Sequence, residues 1–297
     1  EDNIQKEFPG ATIEEIPVIV ADKRRKEFAE FIDKNYPAEK GYLIEAMEEG
    51  SVYNLIVDGF DTEELTNVNL SMGLVGTASK TAFDHIEMRN VTMPGVPAAA
   101  GALAGTLNDS TVSYCSVTGA EMATTQPQRT TYDLAVGGLL GSLKDTKVNS
   151  CYASEVTIDA SAGGGVDGIG GLIGSLAGNG SVTDAYASGS INSSFGSVGG
   201  LVGTSECAIR RAWTSVDIVS VANNIGGILG TAGKSMNLTS SFAAGEVYSK
   251  TGSFDKVGRI YGSGIGTAKI TTSRSFAYES QMINGQTSEE KLDAYGL

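Results

Sequence analysis

The chain has 297 residues, of which 41% are hydrophobic but only 7% aromatic, with 39 glycines, a formal charge of −14 and a pI near 4.5. That balance argues against a nucleic-acid partner, because a phosphate backbone is met by clustered Lys and Arg. No run of about 18 apolar residues is present, so nothing reads as a membrane-spanning helix, and three cysteines do not make a disulfide framework.

The acidity is concentrated early: residues 1–65 carry 17 acids against 7 bases. Within them, residues 1–40 are expected to form an N-terminal cap. Pro17-Val-Ile-Val-Ala21 reads as a strand, and Asp22 caps a helix whose buried stripe is Phe28, Phe31 and Ile32. Pro37 ends it. The charge run Lys23-Arg-Arg-Lys26 reads as a solvated face of that helix. Such a cap covers the core and the unpaired strand edge at the open end of a stack. The chain starts at Glu1 without Met or a signal sequence, which suggests a mature product or an excised piece of a longer protein.

From residue 41 to 285 one pattern repeats. Gly73-Leu-Val-Gly76, Gly101-Ala-Leu-Ala-Gly105, Gly137-Gly-Leu-Leu-Gly141, Gly170-Gly-Leu-Ile-Gly174, Gly199-Gly-Leu-Val-Gly203, Gly226-Gly-Ile-Leu-Gly230 and the altered Gly258-Arg-Ile-Tyr-Gly262 step by 27 to 36 residues. A period near thirty marks a solenoid, whose units bury their apolar faces only against their neighbours. Tyr42-Leu-Ile-Glu-Ala-Met47 has the same layout, with Glu45 in place of the closing glycine, which brings the count to eight coils. A second segment follows each glycine phrase. Val148-Asn-Ser-Cys-Tyr152, Val182-Thr-Asp-Ala-Tyr186, Ile209-Arg-Arg-Ala-Trp213 and Leu238-Thr-Ser-Ser-Phe242 superpose without gaps. Alternation with period two and β-branched content make these strands. The expected fold is all-β: a right-handed parallel β-helix of about eight coils. Aliphatic columns stack inside it, the aromatics form a ladder of their own, and glycines sit where the coil bends or backbones approach closely. Protruding loops are expected at residues 119–132 and 161–167, and residues 286–297 read as a tail or linker.

Candidate chemistry is sparse. His85 is the only histidine; it has neither the second histidine of a zinc helix nor a Gly-x-Ser-x-Gly elbow, and reads as a surface residue at a strand start. Residues 163–168 satisfy Gly-x-Gly-x-x-Gly but open no helix, so they read as a loop. Asp159, Asp184 and Asp217 lie at different offsets in their coils and are not expected to converge as polysaccharide-cleaving carboxylates do. The best calcium candidates are Asp58, Asp61, Glu63 and Glu64, against a solvated acidic loop. Cys115 and Cys151 each follow a strand-opening valine by three positions and should stack, as thiols in preference to a disulfide. Asn-x-Ser/Thr at Asn69, Asn90, Asn108, Asn179, Asn192 and Asn237 reads as turn composition. No catalytic residue, cofactor or firm metal site emerges, and the expectation is a non-enzyme.

Units such as Val198-Gly-Gly-Leu-Val-Gly203 and Asp184-Ala-Tyr-Ala-Ser-Gly-Ser-Ile191, with the ending Arg274-Ser-Phe-Ala-Tyr-Glu-Ser-Gln-Met-Ile-Asn-Gly285, resemble the GLUG-repeat family over roughly residues 41–285. That family includes bacterial adhesins and the N-terminal regions of immunoglobulin A protease-type zinc metalloproteases. The resemblance implies a β-helix on a secreted or wall-anchored bacterial protein and transfers no catalytic residue. The resulting expectation is a non-catalytic module acting as an adhesive surface or rigid spacer. Its partner would be a host protein, a glycan or neighbouring domains of the same protein. The alternatives are the recognition domain of a larger metalloprotease and a self-assembling structural subunit. An exposed aromatic or acidic patch along one face would favour adhesion.

Overall fold

The computed structural model of the chain describes residues 42–62, 71–96, 98–124, 135–162, 168–222, 224–252, 255–278 and 281–285, without the side chains of residues 42, 43 and 45. These residues are strands, bends and turns, and no helix occurs among them. Strands pair in parallel with the equivalent segment one coil away. Tyr42–Asp58 forms the first rung and Gly73–Val96 the second. The third opens at Ala104–Asn108, and later rungs open at Ala135–Gly137, Gly168–Gly170, Ser197–Gly199, Asn224–Gly226 and Val257–Gly258. Eight rungs are thus joined by seven turns of a parallel β-solenoid. Ile44 pairs with Val75, so Glu45 is level with Gly76, as the variant first unit requires.

The expected cap at residues 1–40 and tail at 286–297 lie outside the described residues. So do residues 125–134 and 163–167, most of the two expected loops. Residues 119–124 correct that expectation, being part of the strand Ser116–Thr124. Ala120 pairs with Val156 and Met122 with Ile158, and both are buried. Alternation therefore continues past Gly119 and keeps the segment in the sheet.

Why the chain stacks follows from its inward columns. Val52, Phe83, Val112, Val148, Val182, Ile209 and Leu238 occupy one register position in successive rungs, each almost fully buried. A second column runs Ile44, Val75, Ala104, Leu140, Ile173, Val202 and Leu229. Burying a Leu, Ile or Val stabilises by about 1.5–3 kcal/mol, and each side chain is sealed by its neighbours above and below. A single rung has no such seal, which is why the repeat is obligatory.

The glycine phrase turns the corner between two sheets. In Gly170-Gly-Leu-Ile-Gly174 the first glycine ends a strand of a five-stranded sheet, and Ile173 starts one in the nineteen-stranded sheet. Leu172 and Ile173, adjacent in sequence, are both fully buried, as only a bend permits. A Cβ on Gly170 would lie 2.1 Å from the Ile173 carbonyl oxygen and 2.7 Å from that of Leu201. One on Gly171 would lie 2.3 Å from the Gly200 carbonyl oxygen. Each rung's corner is thus roofed by the next rung's backbone. At the last rung no described rung follows, and the position of Gly138, Gly171, Gly200 and Gly227 is taken by Arg259, which is buried. Its carbonyl accepts a hydrogen bond from Gln281 Nε2 (3.4 Å), which also donates to Gly245 O (2.6 Å).

A second bend is built without glycine. Asn54, His85, Tyr114, Ser150, Asp184, Arg211, Ser240 and Arg274 stand at one position of the eight rungs. All have φ between 49° and 56°. The left-handed conformation breaks the alternation, so that the residue two before it and the residue one after it both face inward, as Phe83 and Ile86 do. All of them but the half-buried Ser150 are exposed, and the conformation carries its own intrinsic cost.

Candidate interaction face

The structure disperses the chemistry-bearing residues. His85 is not at a strand start but at the left-handed bend within Gly73–Val96. Its ring stacks on Tyr114 at 4.8 Å, and its Nδ1 lies 2.9 Å from Asp84 Oδ1. Both partners of that contact are exposed. Asp58 accepts a hydrogen bond from Asn90 Nδ2 at 2.8 Å. Asp61 forms an isolated bridge to Thr92, while Glu63 and Glu64 lie outside the described residues. Among the described residues no group of three or more His, Cys, Asp and Glu is placed to hold a metal ion. Asp159, Asp184 and Asp217 fall in three different columns, as their offsets require.

Cys115 and Cys151 stack in neighbouring rungs as buried free thiols, between Ile86 and Ala185. Cys151 beside it and burial push the Cys115 thiol well up, as suits a packing residue. Cys207 is a third buried thiol, pushed up by burial, with Sγ 3.3 Å from Gly178 O. The turn reading of the Asn-x-Ser/Thr sites holds for Asn90 at a left-handed bend and for Asn179, which is fixed to Asp145. Asn108, Asn192 and Asn237 lie in strands without a left-handed backbone, and Asn69 lies outside the described residues.

What the fold does assemble is an outward stripe. Tyr152, Tyr186, Trp213, Phe242 and Phe276 pair in register on five consecutive rungs. Trp213 is 47% exposed and Phe276 63%. The Tyr186 and Trp213 rings are stacked at 4.5 Å and 25°, and Tyr278 meets Phe242 edge-on at 6.5 Å. At the strand rise between rungs of about 4.8 Å the stripe is roughly 20 Å long. Beside it lies a column of small residues, Ser154, Ser188, Ser215 and Ala244, broken by one bulge between the fourth and fifth rungs. In the first three rungs the aromatic position holds Ile56, Glu87 and Ser116, so the stripe belongs to the C-terminal five.

Charge is divided across this stripe. On its N-terminal side, at the bend, stand Arg210, Arg211 and Arg274, all exposed. Arg211 holds Asp184 with two hydrogen bonds, Nε to Oδ1 at 2.6 Å and Nη2 to Oδ2 at 2.7 Å. That contact keeps the Asp184 carboxyl below the usual range. Among the described residues Arg210 and Arg274 form no salt bridge. On the other side Glu155, Asp159, Asp217 and Glu246 are exposed and outnumber Lys250, whose Nζ donates to Asn192 Oδ1 at 2.9 Å; Asp217 Oδ1 accepts the Glu246 backbone N–H, at 2.9 Å.

Neither the division of charge nor the left-handed column was read from the sequence, although the aromatic ladder was. A signal existed: the residue two before each aromatic is polar in all five rungs, although its neighbours alternate. No family model matches the chain, and no similar curated protein or solved structure was found.

Proposed function

We propose that the chain is a non-catalytic β-solenoid module of a secreted or cell-surface bacterial protein, and that it offers its C-terminal five rungs as an adhesive lateral face. The observation that carries this reading is the outward aromatic stripe from Tyr152 to Phe276, exposed at Tyr152, Trp213 and Phe276 and half-buried at Tyr186 and Phe242. Contiguous exposed aromatics are unusual on a surface without partners, and rigid aromatic side chains dominate binding energy where they are buried at an interface. The cell-surface placement rests on the resemblance of the glycine phrase to GLUG repeats. The non-catalytic reading is supported by the solitary, exposed His85 and by Asp159, Asp184 and Asp217 standing in separate columns.

The test is binding of the immobilised chain to panels of host-type proteins and glycans, with Trp213→Ser and Phe276→Ser as comparison. The expected result is at least one saturable partner whose affinity falls about 30-fold or more in the Trp213 variant, the size of a central aromatic contact. Binding that ignores both substitutions sinks the reading, as does turnover of any panel member.

A further inference from the structure

The division of charge across the stripe singles out one occupant. In the sixth rung the chain runs from Ala208 to Ser220 as one strand. From Trp213 onward it alternates strictly, with Trp213, Ser215, Asp217 and Val219 outward and Thr214, Val216 and Ile218 buried. Trp213 and Asp217 therefore share a face, about 13 Å apart, with the Arg210–Arg211 bend on the opposite border. The seventh rung repeats the acid at Glu246, and the eighth repeats the base at Arg274.

We infer that this face pairs two copies of the chain side by side, both pointing the same way, with aromatic stripe against aromatic stripe. The reasoning is one of symmetry. A two-fold axis parallel to the solenoid lays the basic border of each copy over the acidic border of the other. An axis across the solenoid lays base over base and acid over acid. Only the first arrangement is electrostatically complementary, and complementarity of this kind fixes orientation more than affinity. In the parallel pair each rung also faces its own equivalent, so the five aromatic rungs align over their whole length. The stacking of Tyr186 on Trp213 points the same way. Stacked rings have already covered one another's faces, leaving an apolar edge that suits a matching protein surface better than a sugar ring.

Size predicts strength. Five rungs by the six-residue span from Arg211 to Asp217 make a footprint of roughly 500 Å², below the ~800 Å² per partner of a standard interface. The pair is therefore weak, with a dissociation constant of roughly 10 µM or above, and it tightens when chains are tethered together on one surface. The inference shares its face with the adhesive reading but needs no external ligand.

Sedimentation of the full chain from about 1 µM to about 1 mM, the range set by that affinity, tests it. The wild-type chain should move from monomer to dimer, and Tyr186→Ser with Trp213→Ser should keep it monomeric. Reversing one border alone, by Arg210→Glu with Arg274→Glu or by Asp217→Lys with Glu246→Lys, should weaken self-association about tenfold. An equimolar mixture of the two reversed chains should associate again, and that recovery shows that both remain folded. A wild-type chain monomeric throughout overturns the inference, and so does a dimer indifferent to reversal of a single border, the behaviour of an antiparallel pair. If self-association fails while Trp213-dependent binding to a panel partner survives, pairing is refuted and the adhesive reading stands. The converse refutes adhesion alone.

Discussion

Two of the bends that recur from rung to rung are built by opposite means, and the contrast shows what glycine is for at the first of them. At the corner of Gly170 and Gly171 the backbone of the next rung sits where a Cβ would be, 2.3–2.7 Å away. At the bend of Asn54 through Arg274 the conformation is the unusual one, with φ of 49–56° in eight rungs, yet none of the eight residues is glycine. Left-handed backbone costs an ordinary residue roughly 1–2 kcal/mol, and the stack absorbs it. Overlap with a neighbouring carbonyl is prohibitive. At the corner of Gly170 and Gly171, close approach, not conformational freedom, is what demands glycine.

The strongest way to break this comparison is inside the corner itself. Leu201, fully buried between the glycines of its phrase, should lose about 4 kcal/mol or more as Leu201→Asp, because an unpaired charge enters an aliphatic column. Denaturant unfolding at wild-type midpoint would show that the corner is not packed as described. Gly171→Ala should cost about 3 kcal/mol, although a helix-style propensity argument favours alanine. Ser240→Gly probes the other bend. Relief of left-handed strain slightly exceeds the extra entropy of glycine in the unfolded chain, so a gain of about 0–1 kcal/mol is expected. A loss comparable to that of Gly171→Ala would erase the distinction drawn here.

The smallest effect concerns the charges that decorate the bends. Glu206 lies at a third corner, where the Lys234 ammonium (2.6 Å) and the Gly178 N–H (2.9 Å) hold its carboxyl below the usual range. A carboxyl depressed in the fold stabilises above its unfolded pKa of about 4.3, and that contribution fades as pH falls through the folded value. Glu206→Gln should therefore melt slightly below the wild type at pH 7 and level with it at acidic pH. A difference that persists in acid would assign the loss to packing instead of charge.

The aliphatic columns and the aromatic ladder were legible because parallel in-register stacking turns a linear repeat into columns. Val148, Val182 and Ile209 recur at one offset, and that offset is their shared position. Cys115 and Cys151 were placed the same way. His85 and residues 119–124 were misread because local cues were given too much weight. Asp84-His85 looked like the start of a strand but sits at a bend shared by eight rungs, and Gly119 looked like a loop opening although Ala120 and Met122 continue inward.

The sequence alone determined the repeat, the rung count and the inward pattern, because burial in a solenoid depends on neighbours one period away and the period is written in the chain. Tertiary structure decided which way the aromatics point and which charges border them. Those facts depend on where the left-handed bends fall, and Asn, His, Tyr, Ser, Asp and Arg, which share polarity but no single side-chain type, all adopt that bend.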